Sequence, residues 1–135
     1  PFGIANNQLF YGNKIMKAFQ ITDSVGKTEV NVDTQSFKIL RTHLYLYAKD
    51  NSYVYFLPGE YWGGREFGPL EEIGYLHVVS GADPKTFSIK RDYLYGPNTV
   101  GEDNAFDING KYERGCKVLP PQKAFIGDDG ICQYY

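Results

Sequence analysis

Few side chains in this 135-residue sequence are placed to do chemistry. The two histidines, His43 and His77, each sit in an apolar, strand-like run. A histidine acting as general base needs a nucleophile or a second titratable group within reach. His77 instead follows Tyr75-Leu76 and precedes Val78-Val79, so a satisfied structural histidine is expected. Glu71-Glu72 and Asp128-Asp129 are adjacent acids, but neighbours on a strand point to opposite faces, so neither couple is an acid/base pair by itself. An acid/histidine hydrolase would need carboxylates brought together by the fold. No Gly-x-Ser-x-Gly elbow, His-Glu-x-x-His helix or phosphate loop is present, and no catalytic residue is assigned.

Metal and thiol chemistry are equally thin. The run Ala105-Phe106-Asp107-Ile108-Asn109-Gly110 has the third, fifth and sixth positions of a calcium loop, but Ala105 and Cys116 stand where the loop's two key carboxylates belong. Asx turns and an Asn-Gly hairpin are the expected reading, with no metal or cofactor assigned. Cys116 and Cys132 lack a neighbouring histidine or further cysteine, so they do not make a zinc site. An even pair closing a short loop suits a disulfide and an oxidising compartment such as the periplasm or cell surface; two free thiols in the cytosol are the alternative.

The segment from Gly59 to Pro69 carries the residues suited to recognition. Trp62, the sole tryptophan, stands beside Tyr61, Arg65, Glu66 and Phe67. Trp, Tyr and Arg dominate interface hot spots, and Gly63 and Gly64 permit unusual backbone angles there. The competing reading folds Trp62 inward as a lid on the core.

The elements that must position these residues read almost wholly as strands. Aromatic residues make up 16% of the chain, with 12 Tyr and 9 Phe, and such side chains favour pleated, half-buried surfaces. Asn7 to Tyr11, Lys14 to Ile21, Thr28 to Val32, Phe37 to Tyr47, Tyr53 to Leu57, Ile73 to Val79, Phe87 to Ile89, Tyr93 to Tyr95 and Ile131 to Tyr135 are expected strands, separated by frequent turn signals. A turn or two of helix is expected only around Leu70-Glu71-Glu72. The result is an all-β fold of antiparallel hairpins packed into one domain over residues 1–135. A net charge of −2 gives no basic field for nucleic acid or anionic lipid, and no apolar run is long enough to span a bilayer. The sequence starts at Pro1 rather than Met, as expected where a leader has been removed or the sequence trimmed.

Internal similarity organises the chain. Val32-Asp33-Thr34-Gln35-Ser36-Phe37-Lys38-Ile39 aligns with Ala82-Asp83-Pro84-Lys85-Thr86-Phe87-Ser88-Ile89. Lys49-Asp50-Asn51-Ser52-Tyr53 aligns with Glu102-Asp103-Asn104-Ala105-Phe106, and Asn7-Gln8-Leu9-Phe10-Tyr11 with Ser52-Tyr53-Val54-Tyr55-Phe56. The chain therefore reads as two units, a partial third and a C-terminal tail bearing the cysteine pair, with Phe37 and Phe87 in matching buried positions. Over roughly residues 5 to 112 this pattern resembles the bacterial DKNYY repeat family, with its Lys-Asp-Lys-Asn-Tyr-Val-Tyr-Tyr-like and Ala-Asp-Pro-x-Thr-Phe-like runs. The resemblance implies a bacterial origin and a repeat architecture, and carries no established activity.

Together these readings favour a non-enzymatic cell-envelope protein that binds another protein through Tyr61, Trp62, Arg65, Glu66 and Phe67. The favoured specific role is an immunity protein neutralising an effector toxin. A glycan or small-ligand binder using exposed tyrosines is the alternative, and an acid/histidine hydrolase ranks third.

Overall fold

The structure is a computed structural model describing residues 2–22, 26–41, 46–57, 75–92, 102–119, 121–126 and 131–135. The expected strand at Tyr93–Tyr95, the helix around Glu71, the recognition segment, His43 and Asp128-Asp129 all lie outside these residues.

Among the described residues there is no helix, and the strands fall into four sheets. β1 (Phe2–Ala5), β2 (Gln8–Tyr11) and β3 (Lys14–Ile15) form a small meander. The central sheet has the order β5-β4-β9-β8-β7-β6, built from β4 (Lys17–Thr22), β5 (Gly26–Val30), β6 (Lys38–Arg41), β7 (Leu46–Lys49), β8 (Val54–Leu57) and β9 (Tyr75–Val78). A second meander comprises β10 (Ser88–Asp92), β11 (Glu102–Asp107), β12 (Gly110–Glu113) and β13 (Cys116–Val118). β14 (Ala124–Ile126) and β15 (Cys132–Tyr134) make a closing hairpin. Pairing is antiparallel throughout except between β4 and β9, where Ala18 lies opposite Leu76 in a parallel ladder.

The central sheet is covered on both sides, which explains why Val54-Tyr55-Phe56-Leu57 reads as a continuous apolar run rather than an alternating one. Successive side chains on a strand point to opposite faces. Leu46, Ala48, Tyr55 and Leu57 therefore pack with Leu9 and Met16 of the first meander. Tyr47, Val54 and Phe56 pack with Phe87, Ala105, Tyr112 and Val118 of the second meander and with Ala124 and Ile126 of the hairpin. The result is three layers around two cores.

One tight turn fastens the second meander to the central sheet. Arg114 and Gly115 join β12 to β13 with φ of 49° and 86°, and the Gly115 amide donates to the Tyr47 hydroxyl at 2.8 Å. A Cβ at Gly115 would stand 2.9 Å from the Phe56 ring, so only glycine meets both the angle and the space. Next to it, Cys116 and Cys132 form a disulfide with Cα atoms 5.9 Å apart, tying β13 to β15.

Several expected boundaries shift. The run from Lys14 to Ile21 is broken at Met16, which turns inward to 3% exposure and separates two sheets. Within the run from Phe37 to Tyr47, β6 ends at Arg41 and β7 starts at Leu46. β1, β13 and β14 were not expected, because runs of three or four residues are too short to show an alternation, whereas β11 and β12 flank the expected Asn-Gly hairpin.

Candidate functional site

The sequence offered no acid pair, yet the fold assembles two. In the first, the segment leading into β6 crosses the turn between β7 and β8. Asp50, only 4% exposed, accepts the amides of Ser52 and Tyr53 on Oδ1, both at 2.8 Å. Its Oδ2 accepts the Asp33 amide at 2.8 Å and the Tyr55 hydroxyl at 2.5 Å. Asp33 in turn accepts the Gln35 amide and the Ser36 hydroxyl, and Ser36 Oγ accepts the Asn51 amide at 2.9 Å.

The same bonds recur in the second meander. The segment leading into β10 crosses the turn between β11 and β12. Asp107 accepts the amides of Asn109 and Gly110 on Oδ1, the Asp83 amide on Oδ2 at 2.7 Å, and the Tyr112 hydroxyl at 2.9 Å. Asp83 accepts the Lys85 amide and the Thr86 hydroxyl, and Thr86 Oγ1 accepts the Ile108 amide. Each arrangement is a clasp: an aspartate at a hairpin turn holds a strap by its backbone and a tyrosine by its hydroxyl. The residue after each strap then packs on the clasp tyrosine, Phe37 against Tyr55 at 6.2 Å and Phe87 against Tyr112 at 5.5 Å.

The clasps revise the internal alignment at one point. Asp33 and Asp83 hold equivalent bonds, as do Phe37 and Phe87 in sequence position. The partner equivalent to Asp50 is Asp107, not Asp103, which lies within β11 opposite Arg91. The spacing from aspartate to tyrosine was the available signal, since Asp50 precedes Tyr55 and Asp107 precedes Tyr112 by the same interval. It was masked by the resemblance of Asp103-Asn104 to Asp50-Asn51. Burial of the two phenylalanines also differs: Phe87 is 1% exposed, whereas Phe37 is only partly buried.

These carboxylates are poor candidates for acid/base work. An ionised carboxylate offers about four acceptor sites, and the bonds named above fill those of Asp50 and Asp107. Among the described residues, no group of three or more His, Cys, Asp or Glu could hold a metal ion. Asp107, the residue that invited comparison with a calcium loop, spends its oxygens on the turn and on Tyr112. His77, 1% exposed, lies edge-on to Tyr75 at 5.1 Å inside the central layer.

The clasps act on their tyrosines in one direction. Burial, followed by the hydrogen bond to Asp50, raises the Tyr55 hydroxyl well above its ordinary range. Burial and then Asp107 do the same for Tyr112. A hydroxyl held protonated in the fold but ionising near pH 10 when unfolded stabilises the fold fully below about pH 10. That contribution is lost as pH rises through the folded values. An alkaline titration followed at the phenolate absorbance should therefore show two tyrosines ionising only together with unfolding. Titration of all 12 tyrosines in a still-folded chain would contradict the clasp.

A groove among the described residues is open to a ligand. It encloses about 250 Å3 between the first meander and the β4–β5 edge. Leu9, Met16 and Ala18 are its buried lining, and Asn7, Gln8, Asn31 and the Lys17–Glu29 ion pair at 3.8 Å add polar groups. Asn6 and Asn7 take φ of 51° and 60° in the tight turn between β1 and β2, which asparagine tolerates better than most residues. Tyr61, Trp62, Arg65, Glu66 and Phe67, the residues assigned to partner binding, lie outside the described residues; Cys116 and Cys132 are joined as expected. Comparison with protein-family models, curated proteins and solved structures finds no match for this chain.

Proposed function

We propose that this chain is a non-enzymatic protein of the cell envelope that binds another protein through loops carried on a braced β scaffold. The observation that supports this most is how the acids are used. In each pair that the fold assembles, the aspartate at the hairpin turn (Asp50 or Asp107) has its acceptor sites filled by a clasp, so its chemistry goes to rigidity. Rigid scaffolds with such turns suit recognition by the segments that join strands. The disulfide is compatible with an extracytoplasmic setting, and among the described residues no helix is long and apolar enough to cross a membrane. Within this reading, the favoured role is an immunity protein that neutralises a bacterial effector toxin, and the two clasps are units of a DKNYY-type repeat.

Tyr61, Trp62, Arg65, Glu66 and Phe67 are the assigned contact residues. Replacing Trp62 and Arg65 together with alanine should weaken partner binding by at least about 2 kcal/mol while leaving the thermal midpoint nearly unchanged. The test is capture of the partner from the source bacterium followed by calorimetry of both forms. Unchanged affinity in a folded variant would move the site elsewhere, and a large fall in midpoint would place Trp62 in the core.

A second reading has its own support in the groove. A buried apolar floor whose lining adds carboxamides and the Lys17–Glu29 ion pair suits a polar small ligand such as a sugar. Its lining includes none of the exposed tyrosines that the sequence suggested for this role.

A further inference from the structure

We infer that the tip of the second meander is a docking surface for an anionic lipid bilayer. Ile108 and Leu119 are the two most exposed large apolar side chains among the described residues, at 77% and 76%. Both lie at one end of one sheet. Ile108 is in the two-residue turn closed by Asp107 opposite Gly110. Leu119 follows Val118, whose partner is Lys111, so it sits level with Gly110 beside that turn.

Three lysines lie on the segments beside this pair. Lys85 belongs to the strap whose Thr86 holds the Ile108 amide, Lys111 follows the turn on β12, and the Lys117 side chain runs across Gly110. All three are exposed, and none has a salt-bridge partner among the described residues. The carboxylates at this end, Asp83 and Asp107, are half-buried with their oxygens held in the clasp. Among the described residues, the exposed charges at the tip are therefore ammonium groups.

The comparison of the two clasps shows that these residues are not required by the scaffold. Where the second clasp has Lys85 and Ile108, the first has Gln35 and Asn51, with the same bonds intact. An exposed isoleucine in place of an asparagine is a specific addition at a turn tip.

Composition favours lipid over protein as the occupant. Protein interfaces are depleted in lysine, and leucine is under-represented among their hot spots. Protruding aliphatic side chains with lysines beside them suit a bilayer, where the chains enter the headgroup boundary and the ammonium groups meet anionic lipid. A net charge of −2 over the chain does not prevent this, because attraction to anionic lipid falls off within a Debye length.

The test is flotation with vesicles of phosphatidylcholine alone and of phosphatidylcholine mixed with phosphatidylglycerol. The protein should float with the mixed vesicles, less so at high salt, and not with phosphatidylcholine alone. I108S together with L119S should lower partitioning at least about tenfold, and K85Q or K117Q about fivefold each, all without change in thermal midpoint. I108W should add, over the Trp62 emission of the unaltered chain, a blue-shifted component on the mixed vesicles, which reports insertion without removing the apolar tip. No flotation with mixed vesicles, or flotation indifferent to I108S/L119S, would overturn the inference. Retention on polyglutamate beads without flotation would also overturn it and assign the tip to an acidic protein.

Discussion

Asp50→Ala is expected to cost about 3–5 kcal/mol of folding stability, since it strips four donors of their acceptor at a nearly buried site. Each donor left unmet carries a penalty of about 1–3 kcal/mol, and water entering at the partly exposed strap relieves some of it. A domain of this size has only about 5–15 kcal/mol in total, so the loss would take a large share. Asp107→Ala should cost less, because Asp107 is half-buried and water can replace more of its bonds. Pairing Asp50→Ala with Tyr55→Phe separates the terms: the 2.5 Å charge-assisted bond should give a coupling of about 1–3 kcal/mol. Urea unfolding of the single and double variants provides the measurement. A change below about 1 kcal/mol in Asp50→Ala would mean that the clasp contributes no net stability.

Phe87→Ala is the second large effect, at about 3–5 kcal/mol. Phe87 is 1% exposed and bridges the layers, with its ring 5.3 Å from that of Tyr47 and 5.5 Å from that of Tyr112. Lys49 Nζ also donates to its carbonyl at 3.0 Å, a bond that alanine keeps. The loss is therefore a measure of packing and cavity alone. Phe37→Ala should cost clearly less, because Phe37 is only partly buried against Phe2 and Tyr55. Denaturant unfolding of the two variants side by side decides the matter. Equal losses would contradict the different burial of the two sites.

The all-β architecture was legible because tyrosine-rich runs and turn residues alternate along the chain. The equivalence of Asp33 with Asp83 was legible because each strap carries an aspartate, a hydroxyl residue and a phenylalanine in a fixed local order. The partners of those straps were not. Asp50 reaches Asp33, and Asp107 reaches Asp83, across intervening strands, and no local pattern states which hairpin turn will lie under a strap. The Asp103-Asn104 pair copied the look of Asp50-Asn51 while lying in the middle of β11, where pairing with β10 decides its conformation. The parallel contact of β4 with β9 was hidden for a related reason. It joins strands far apart in sequence, with the whole β5–β8 segment between them. The exposed tip at Ile108 and Leu119 was also unreadable, because a lone apolar residue in a turn signals nothing until the sheet places two of them at one end.

Amide hydrogen exchange at Asp33 and Asp83 tests the clasps most directly. Neither residue lies in a strand, yet each amide donates to the carboxylate of another segment, at 2.8 Å to Asp50 and 2.7 Å to Asp107. Both amides are expected to be protected at a level approaching that of the neighbouring strands. In Asp50→Ala, which removes both acceptor oxygens, the Asp33 amide should lose protection while the Asp83 amide keeps it. Exchange of both amides at the rate of an unstructured chain in the wild type, or equal protection of Asp33 with and without the Asp50 carboxylate, would contradict the clasp.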